Sequence, residues 1–500
     1  MSPSLIVFIL VLYFGLLVTV SFLTAKSKGN DGFFVGDRQS PWYLVAFGMI
    51  GTSLSGVTFL SVPGWVGNAS NQFSYMQAVL GYFIGYIIIS YLLMPIYYKM
   101  NVVSIYEYLK ERFGFFSHKT GAILFLVSRV IGASVRLMLV AEVLQSILFD
   151  GWGVKFEVTV SICILLIWLY TNRGGIKTIV WTDTLQTGFM LLSVVLTVYF
   201  ISNALPAGTH GGIINEVANG PYSKIFFFDD LYGSNHFLKH FFGGIFIAIG
   251  MTGLDQDMMQ KNLSCKNLKD AQKNMMSMAS VLILVNLLFL FLGALLYMYA
   301  AHRNIEFSKP DMLFSAVAMD PNTPIAIGIL FLLGLIAAAY SSADSALTSL
   351  TTSIYIDLVP EKSKNEKNQV RLRKGIHIIV SVLIVLVVLL LHRFTEDSAI
   401  GLLMKFAGFT YGPLIGIFFF GILTKTKLKD KLIPIISGLA ISITFYLWYF
   451  SKGAPGTPKG QPGILGEYAF GFEIIILNAF LTFALLFIAS KLQSIRNNEI

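Results

Sequence analysis

The stretch Ile336-Ala-Ala-Ala-Tyr-Ser-Ser-Ala-Asp-Ser-Ala-Leu-Thr-Ser-Leu-Thr-Thr-Ser353 decides the fold of this chain of 500 residues. It lies in an apolar segment, residues 324–358, yet it collects hydroxyl groups and one carboxylate. At helical spacing, one face carries Ala338, Ser341, Asp344, Ser345 and Thr348, with Ser342 at its edge. An acid in hydrocarbon is costly and by default marks an ion or substrate path. Hydroxyl and carboxylate oxygens suit a small hard cation. The alternative is that small residues let two helices approach, with hydroxyls bonded to their own helix.

The composition is that of a polytopic membrane protein. Hydrophobic residues make up 55% of the chain and charged residues 13%, whereas about a quarter of a soluble protein is charged. The cysteines, Cys163 and Cys265, exclude a disulfide framework and a cysteine-rich metal site. The net charge of +9 is not concentrated in a basic soluble domain, so a nucleic-acid partner is not expected.

Thirteen apolar segments are long enough to predict membrane spans. They are residues 4–24, 44–66, 76–98, 120–147, 156–171, 178–203, 240–260, 276–300, 324–357, 375–391, 399–423, 432–450 and 467–490. No Lys or Arg precedes the first span, and Lys26 and Lys28 follow it, which predicts an uncleaved span with the N-terminus outside. With that orientation the inner segments hold 25 of the 36 Lys and Arg residues and the outer segments hold 8. This bias predicts a cytoplasmic C-terminus.

The second span is predicted to be interrupted inside the bilayer. Glycine, proline and hydroxylated residues punctuate it, namely Gly48, Gly51, Thr52, Ser53, Ser55, Gly56, Thr58, Ser61, Pro63 and Gly64. Interrupted helices persist in a membrane only where the freed backbone groups face protein, water or a ligand. Secondary transporters use such carbonyls to coordinate the coupling ion. A kinked packing helix is the alternative interpretation.

Few other charges lie within spans. Asp183 lies near the start of the sixth span, Arg129 and Arg136 share one face of the fourth, and Asp255 and Asp257 close the seventh. Each is a candidate for a functional role, for a structural ion pair or for snorkelling to the interface. The histidines lie in loops or at span ends, and neither metal-ligand spacing nor a phosphate-binding loop occurs, so we expect neither an enzyme nor an ATP-driven pump.

Five motifs carry a family resemblance. They are Phe33-Phe-Val-Gly-Asp-Arg38 with Pro41-Trp42, Tyr108-Leu-Lys-Glu-Arg-Phe-Gly114, the run from Gly174 to Gln186, the run from Asp255 to Lys266, and Ala338-x-x-Ser-Ser342. In this order and topology the chain resembles the solute:sodium symporter family, and within it most closely the sodium–sialic acid carriers. The resemblance implies an all-α fold of the leucine-transporter type, with five helices repeated in inverted orientation. The implied divisions are 1–43 (first helix and loop), 44–203 (first repeat), 204–424 (second repeat) and 425–500 (two peripheral helices).

The resemblance also implies that sodium is the coupling ion. One site would use backbone carbonyls and hydroxyls of Gly51, Leu54, Ala338, Ser341 and Ser342. In part of the family a second sodium lies deeper, and the matching positions here are Asp183, Ser341, Asp344 and Ser345. Asp344 stands where a serine is usual. A second sodium, a proton on an acid, and a structural pair are therefore all open interpretations of this second site.

The predicted function is sodium-coupled symport of a small polar solute by a membrane protein that acts as a monomer in the bilayer. Val57-Thr58 stands where the family's sugar carriers have Glu-Gln, and Ser55-Gly-Val-Thr-Phe59 is similar to the sialic acid carriers. The predicted substrate-binding residues are Ser53, Ser55, Thr58, Gln77, Arg129 and Asp255, with the Arg129 guanidinium holding a carboxylate such as that of sialic acid. The alternatives are a neutral sugar or polyol, a proton-coupled symporter, and a channel or sensor.

Overall fold

A computed structural model describes residues 2–24, 30–206, 212–359, 365–394, 399–451 and 464–498. Lys26 and Lys28, used above to orient the first span, lie outside these residues. Regular secondary structure in the described chain is helical. The α-helices are α1 Pro3–Thr24, α2 Asn30–Val35, α3 Trp42–Trp65, α4 Tyr75–Ile88, α5 Met94–Met100, α6 Glu107–Arg112, α7 Phe115–Leu144, α8 Phe156–Ala204, α9 Ile213–Ala218, α10 Phe237–Ala248, α11 Gln256–Leu263, α12 Leu268–Arg303, α13 Leu313–Met319, α14 Ile325–Ser353, α15 Glu366–Phe394, α16 Ala399–Leu423, α17 Leu432–Ser451 and α18 Ile474–Asn498.

The number of spans differs from the sequence-based prediction. Within the described residues, 11 helices are long and apolar enough to cross a membrane, and the count reaches 12 when the bent pair α10–α11 is taken as one span. The predicted fifth span, residues 156–171, lies in α8, which runs from Phe156 to the bend at Gly175. Its apolar part within the described residues, Phe156–Leu169, is not among the 11. The count of thirteen is therefore not confirmed.

The 49-residue helix α8 bends sharply where the predicted fifth and sixth spans meet. Gly175 has φ 57° and ψ −163°, a conformation that favours glycine, and a Cβ atom there would collide with the backbone of Phe33. The part of α8 after this bend carries Asp183. The bend thus divides α8 into two parts, and the part after Gly175, which corresponds to the sixth span, has its own direction in the bundle.

The second span, α3, is broken within the membrane as predicted. Ser55 has φ 43° and ψ 172°, which no helical residue adopts. Glycines let neighbouring helices approach the break closely. A Cβ atom at Gly51 would collide with Oγ1 of Thr187 on α8, and one at Gly56 would lie 3.4 Å from the Cα atom of Ala339 on α14. The break is therefore held between α8 and α14.

The seventh span is broken as well. A π-helical turn, Ile249–Gly253, follows α10, and the chain then bends by 63° before α11 begins. Asp255 caps α11, its Oδ1 accepting from the backbone N–H groups of Asp257 (2.9 Å) and Met258 (3.2 Å). One broken helix thus opens each of the two predicted five-helix sets. The boundaries of those sets remain predictions, and α3 itself begins at Trp42, after Pro41.

The helices around the two breaks form the core of the molecule. α3 packs against α8, α12 and α14, and α14 makes its most extensive contact with α8. α10 packs against α4. The helices α17 and α18 lie at the periphery, against α16 and each other. Every residue of α14 from Gly334 to Ser353 is buried, so its hydroxyl-rich face points into protein and not into lipid.

Candidate functional site

The predicted sodium site lies where α3 and α14 meet. All five of its predicted residues are buried, two on α3 immediately before the break and three on α14. Carbonyls in the last turn before a break have no partner within the helix, which frees those near Gly51 and Leu54. The Ser342 hydroxyl oxygen lies 3.4 Å from the Ala338 carbonyl oxygen and donates a hydrogen bond to the Ala339 carbonyl oxygen at 3.0 Å. These neutral carbonyl and hydroxyl oxygens are suitable ligands for a sodium ion.

Deeper along α14, a buried lysine from α11 occupies the centre of a polar cluster. The Lys261 ammonium donates to Oδ2 of Asp183 at 2.7 Å, to the Ser345 hydroxyl at 2.7 Å and to the Thr52 hydroxyl at 2.5 Å. The Ser341 hydroxyl donates to Oδ1 of Asp183 at 2.6 Å. Both Lys261 and Asp183 have side chains that are 1% exposed. Four helices, α3, α8, α11 and α14, therefore meet at one ion pair.

This cluster contains three of the four residues predicted for a second sodium site, and it adds a residue that the sequence analysis did not select. Asp183, Ser341 and Ser345 contact the cluster directly. The fourth, Asp344, is fully buried on the same helix and attracts the Lys261 ammonium electrostatically. Lys261 was predicted to lie in an inner segment, because the seventh span was predicted to end at residue 260.

A cavity lies beside the α3 break. Ser53, Ser55 and Thr58, which were predicted to bind substrate, line it together with two arginines of α7, Arg129 and Arg136. The rest of the lining combines tyrosine and threonine side chains with thioether and aliphatic groups, among them Thr52, Tyr75, Tyr82, Tyr86, Met251, Thr252, Met258 and Met404. A few polar groups within a largely apolar wall are typical of small-molecule sites.

The two arginines differ in their partners. Arg129 forms an ion pair with Asp257, and its Nη1 lies 3.8 Å from Oδ2 of Asp255, which also accepts a hydrogen bond from the Tyr411 hydroxyl. Arg136 is 7% exposed, and its Nε and Nη1 atoms have no hydrogen-bond partner among the described residues. Buried polar groups in proteins are nearly always hydrogen-bonded. The Nε atom of Arg129 also lacks a partner, but Arg136 has two such nitrogen atoms and no ion pair among the described residues, so it has the greater capacity for a ligand.

Two residues predicted to bind substrate lie elsewhere. The Gln77 amide donates to the Asn235 carbonyl (3.1 Å) and accepts from the backbone N–H of Phe227 (3.0 Å), so it connects α4 to the segment before α10. Asp255 caps α11 and faces Arg129 and Tyr411. Neither side chain lines the cavity. Their roles in substrate binding stay predictions.

Comparison with known proteins identifies the family. The model of the sodium:solute symporter family matches residues 33–428, most of the chain. The chain belongs to this family. Its relatives include sodium-coupled monocarboxylate transporter 2 of Bos taurus, 26% identical over 86% of this chain and 70% of the relative. They also include the sodium/sialic acid symporters NanT of Aliivibrio fischeri, 23% identical over 89% of each chain, and SiaT of Proteus mirabilis, 23% identical over 88% of this chain and 90% of the relative.

Solved structures agree on the fold. A Na⁺-coupled sialic acid symporter in a substrate-bound, outward-open state matches 97% of this symporter and 98% of its own chain, with a TM-score of 0.81 and 20% identity. The nucleobase-cation symporter Mhp1 in a closed conformation matches 93% of this chain and 95% of its own, with a TM-score of 0.55 and 14% identity. The prediction of an all-α, leucine-transporter-type fold is confirmed. The family and its relatives are transporters and not enzymes, and this symporter is a multi-pass membrane protein that couples sodium to the movement of a small organic solute.

Proposed function

We propose that the transported solute carries a carboxylate and binds in the cavity beside the α3 break, with Arg136 as its charged partner. The observation that carries this proposal is the buried guanidinium of Arg136, which lines the cavity with two nitrogen atoms unpartnered among the described residues. A guanidinium presents paired N–H donors that match the two oxygens of a carboxylate. The hydroxyls of Ser55 and Thr58 are available on the facing wall for the other polar groups of the solute.

The relatives support a carboxylate. Monocarboxylate transporters and sialic acid symporters are named for different solutes that share an acid group. Arg129 was the arginine predicted from the sequence, and it remains a second candidate. Its pairing with Asp257 is what the neutral-sugar alternative requires of it. Arg136 favours the acid, because no ion pair to Arg136 occurs among the described residues.

We further propose that Gly51, Leu54, Ala338, Ser341 and Ser342 hold the coupling sodium. Carbonyls of α3 and hydroxyls of α14 would then share one ion, so ion binding favours the arrangement in which these helices are packed together. Coupling to the solute equals the difference in sodium affinity between the outward and inward states. Because Ser55 and Thr58 lie just past the same break, closing the ion site also positions the wall of the solute cavity.

The first prediction tests both proposals. Proteoliposomes containing the purified symporter should accumulate a radiolabelled monocarboxylate or sialic acid when an inward sodium gradient is imposed, and not with potassium. Ser342→Ala removes one neutral oxygen ligand. We expect it to raise the sodium concentration for half-maximal uptake about tenfold, equivalent to ~1.4 kcal/mol.

Ser349→Ala is the matched control. Ser349 is buried on the same helix, one turn beyond the cluster, and its hydroxyl bonds only to the Ala346 carbonyl at 3.1 Å in the described structure. Its sodium dependence should equal that of the parent. Uptake that ignores the sodium gradient, or equal effects of the two substitutions, would refute this site. Sodium-driven uptake of neutral sugars alone would refute the carboxylate.

The second prediction concerns orientation and assembly. We propose that the N-terminus lies outside, the C-terminus lies in the cytoplasm and the monomer is functional. Both native cysteines are buried, so single cysteines can be introduced at exposed positions. Ser4→Cys should react with a membrane-impermeant maleimide in intact cells, and Lys269→Cys only after permeabilisation. The reverse pattern would invert the topology, and activity confined to dimer-size particles would exclude the monomer.

A further inference from the structure

The Lys261 ammonium occupies a position whose surrounding oxygens could otherwise bind a metal cation. It has three hydrogen atoms, and each is directed to one oxygen, on Asp183, Ser345 or Thr52. The residue lies on α11, whose eight residues are all buried, so no water-exposed route relieves the charge. A buried charge persists only where it is paired and hydrogen-bonded. The ion pair between Lys261 and Asp183 is therefore a buried part of the fold and not a surface ion pair.

The same oxygens are those expected to bind a second sodium. An ammonium and a sodium ion both carry one positive charge and both attract carboxylate and hydroxyl oxygens. With Lys261 at 2.7 Å from both Asp183 and Ser345, these two oxygens are already committed to a cation. The residues of this second site consequently do not fit an additional sodium.

The charges balance in the same way. Two carboxylates, Asp183 and Asp344, are buried in this part of the bundle, and Lys261 interacts with both. Lys261 supplies one of the two positive charges that neutralise them. A single sodium at the neutral-oxygen site beside Ser341 supplies the other, because Ser341 bonds to Asp183 and joins the two sites. A third cation would leave an excess positive charge in low dielectric.

We propose that Lys261 is a tethered cation that replaces a second sodium ion, so that this symporter binds one sodium per transport cycle. The proposal rests on the sodium site proposed above for the single exchangeable ion. Since Lys261 belongs to the second broken helix, its charge links α11 to α3, α8 and α14 throughout the cycle. One sodium moving with a univalent carboxylate would carry no net charge.

Equilibrium binding of ²²Na⁺ to the purified symporter, without any organic solute, tests this third prediction. The parent should bind one sodium per chain. Lys261→Met removes the ammonium while keeping an unbranched side chain, so the oxygens of Asp183, Ser345 and Thr52 become free and the count should rise to two. Lys261→Arg keeps the charge and should stay at one. Asp183→Asn added to Lys261→Met should return the count to one.

The outcomes separate this proposal from the proposed function. Two sodium ions in the parent, or a folded Lys261→Met protein that binds no more sodium than the parent, would overturn the tethered cation. If Lys261→Met does not fold, the parent count decides alone. A parent that binds none, together with a Lys261→Met protein that binds one, would overturn the site beside Ser342 and still support Lys261. Because no solute is present, an error in the carboxylate assignment changes none of these counts.

Discussion

Arg136→Ala is expected to weaken solute binding by roughly 30-fold to several thousand-fold while sodium binding is retained. Truncating one partner of a buried, hydrogen-bonded charge pair costs about 2–5 kcal/mol, and each ~1.4 kcal/mol is a factor of ten. In the parent, an amide or ester of the same solute should bind as weakly as the acid binds to Arg136→Ala. Because the amide has no charge to lose, its affinity should be the same in both proteins. Isothermal titration in sodium buffer measures all four combinations of protein and ligand.

Arg129→Ala provides the contrasting variant. Arg129 lies on the same face of α7 but pairs with Asp257 and approaches Asp255. Its removal leaves carboxylates buried without their partner, so the loss should appear first in the thermal stability of the protein. A folded Arg136→Ala protein with unchanged affinity for the acid would contradict the assignment. A large affinity loss confined to Arg129→Ala would restore the sequence-based choice.

Much of the fold was predictable because the bilayer imposes strong rules on sequence. Long apolar runs and the distribution of Lys and Arg predicted the helical membrane fold before any contact was known. The interruption of α3 was predicted from its glycines and hydroxyls, and the structure places it at Ser55. The predicted fifth span, residues 156–171, is helical within α8, and whether it crosses the bilayer stays a prediction.

The seventh span shows where such rules stop. Asp255 was predicted to lie at the end of this span, but a break was not predicted there, and the structure bends the span by 63°. Lys261 was therefore predicted to lie in a loop, because a lysine that directly follows an apolar run usually lies outside the span. The available signal was local. Met258, Met259 and Leu263 surround Lys261 in sequence, a pattern of a buried helix.

The substrate residues illustrate a second limit. Ser53, Ser55 and Thr58 lie at or beside the break on one helix and line one cavity, and their contacts with substrate stay predictions. The choice between Arg129 and Arg136 depends on which acids approach each guanidinium across helices. Gln77 likewise bonds to Asn235, which lies far from it in sequence. Such contacts between residues distant in sequence form only in the tertiary structure and are not predictable from a single sequence.

Asp183→Asn is expected to be among the most destabilising single substitutions in this symporter. It removes the only carboxylate to which the Lys261 ammonium donates a hydrogen bond among the described residues, and breaking one side of a buried ion pair costs about 3–5 kcal/mol. Thermal unfolding of the purified protein in potassium buffer measures the loss. Asp229→Asn is the control, because the Lys224–Asp229 pair has side chains 46% and 82% exposed and its removal should leave the unfolding temperature unchanged.

The double variant Asp183→Asn with Lys261→Met decides whether the ion pair is the cause. Removing both charges leaves no unpaired ion, so its stability should lie well above that of Asp183→Asn, by a coupling energy of about 1–3 kcal/mol. Simple addition of the two losses would contradict the pairing.

Sodium should discriminate between the single variants. In Lys261→Met an added sodium ion can neutralise Asp183, so sodium buffer should restore stability relative to potassium. In Asp183→Asn the fixed ammonium repels sodium, so the restoration should be absent.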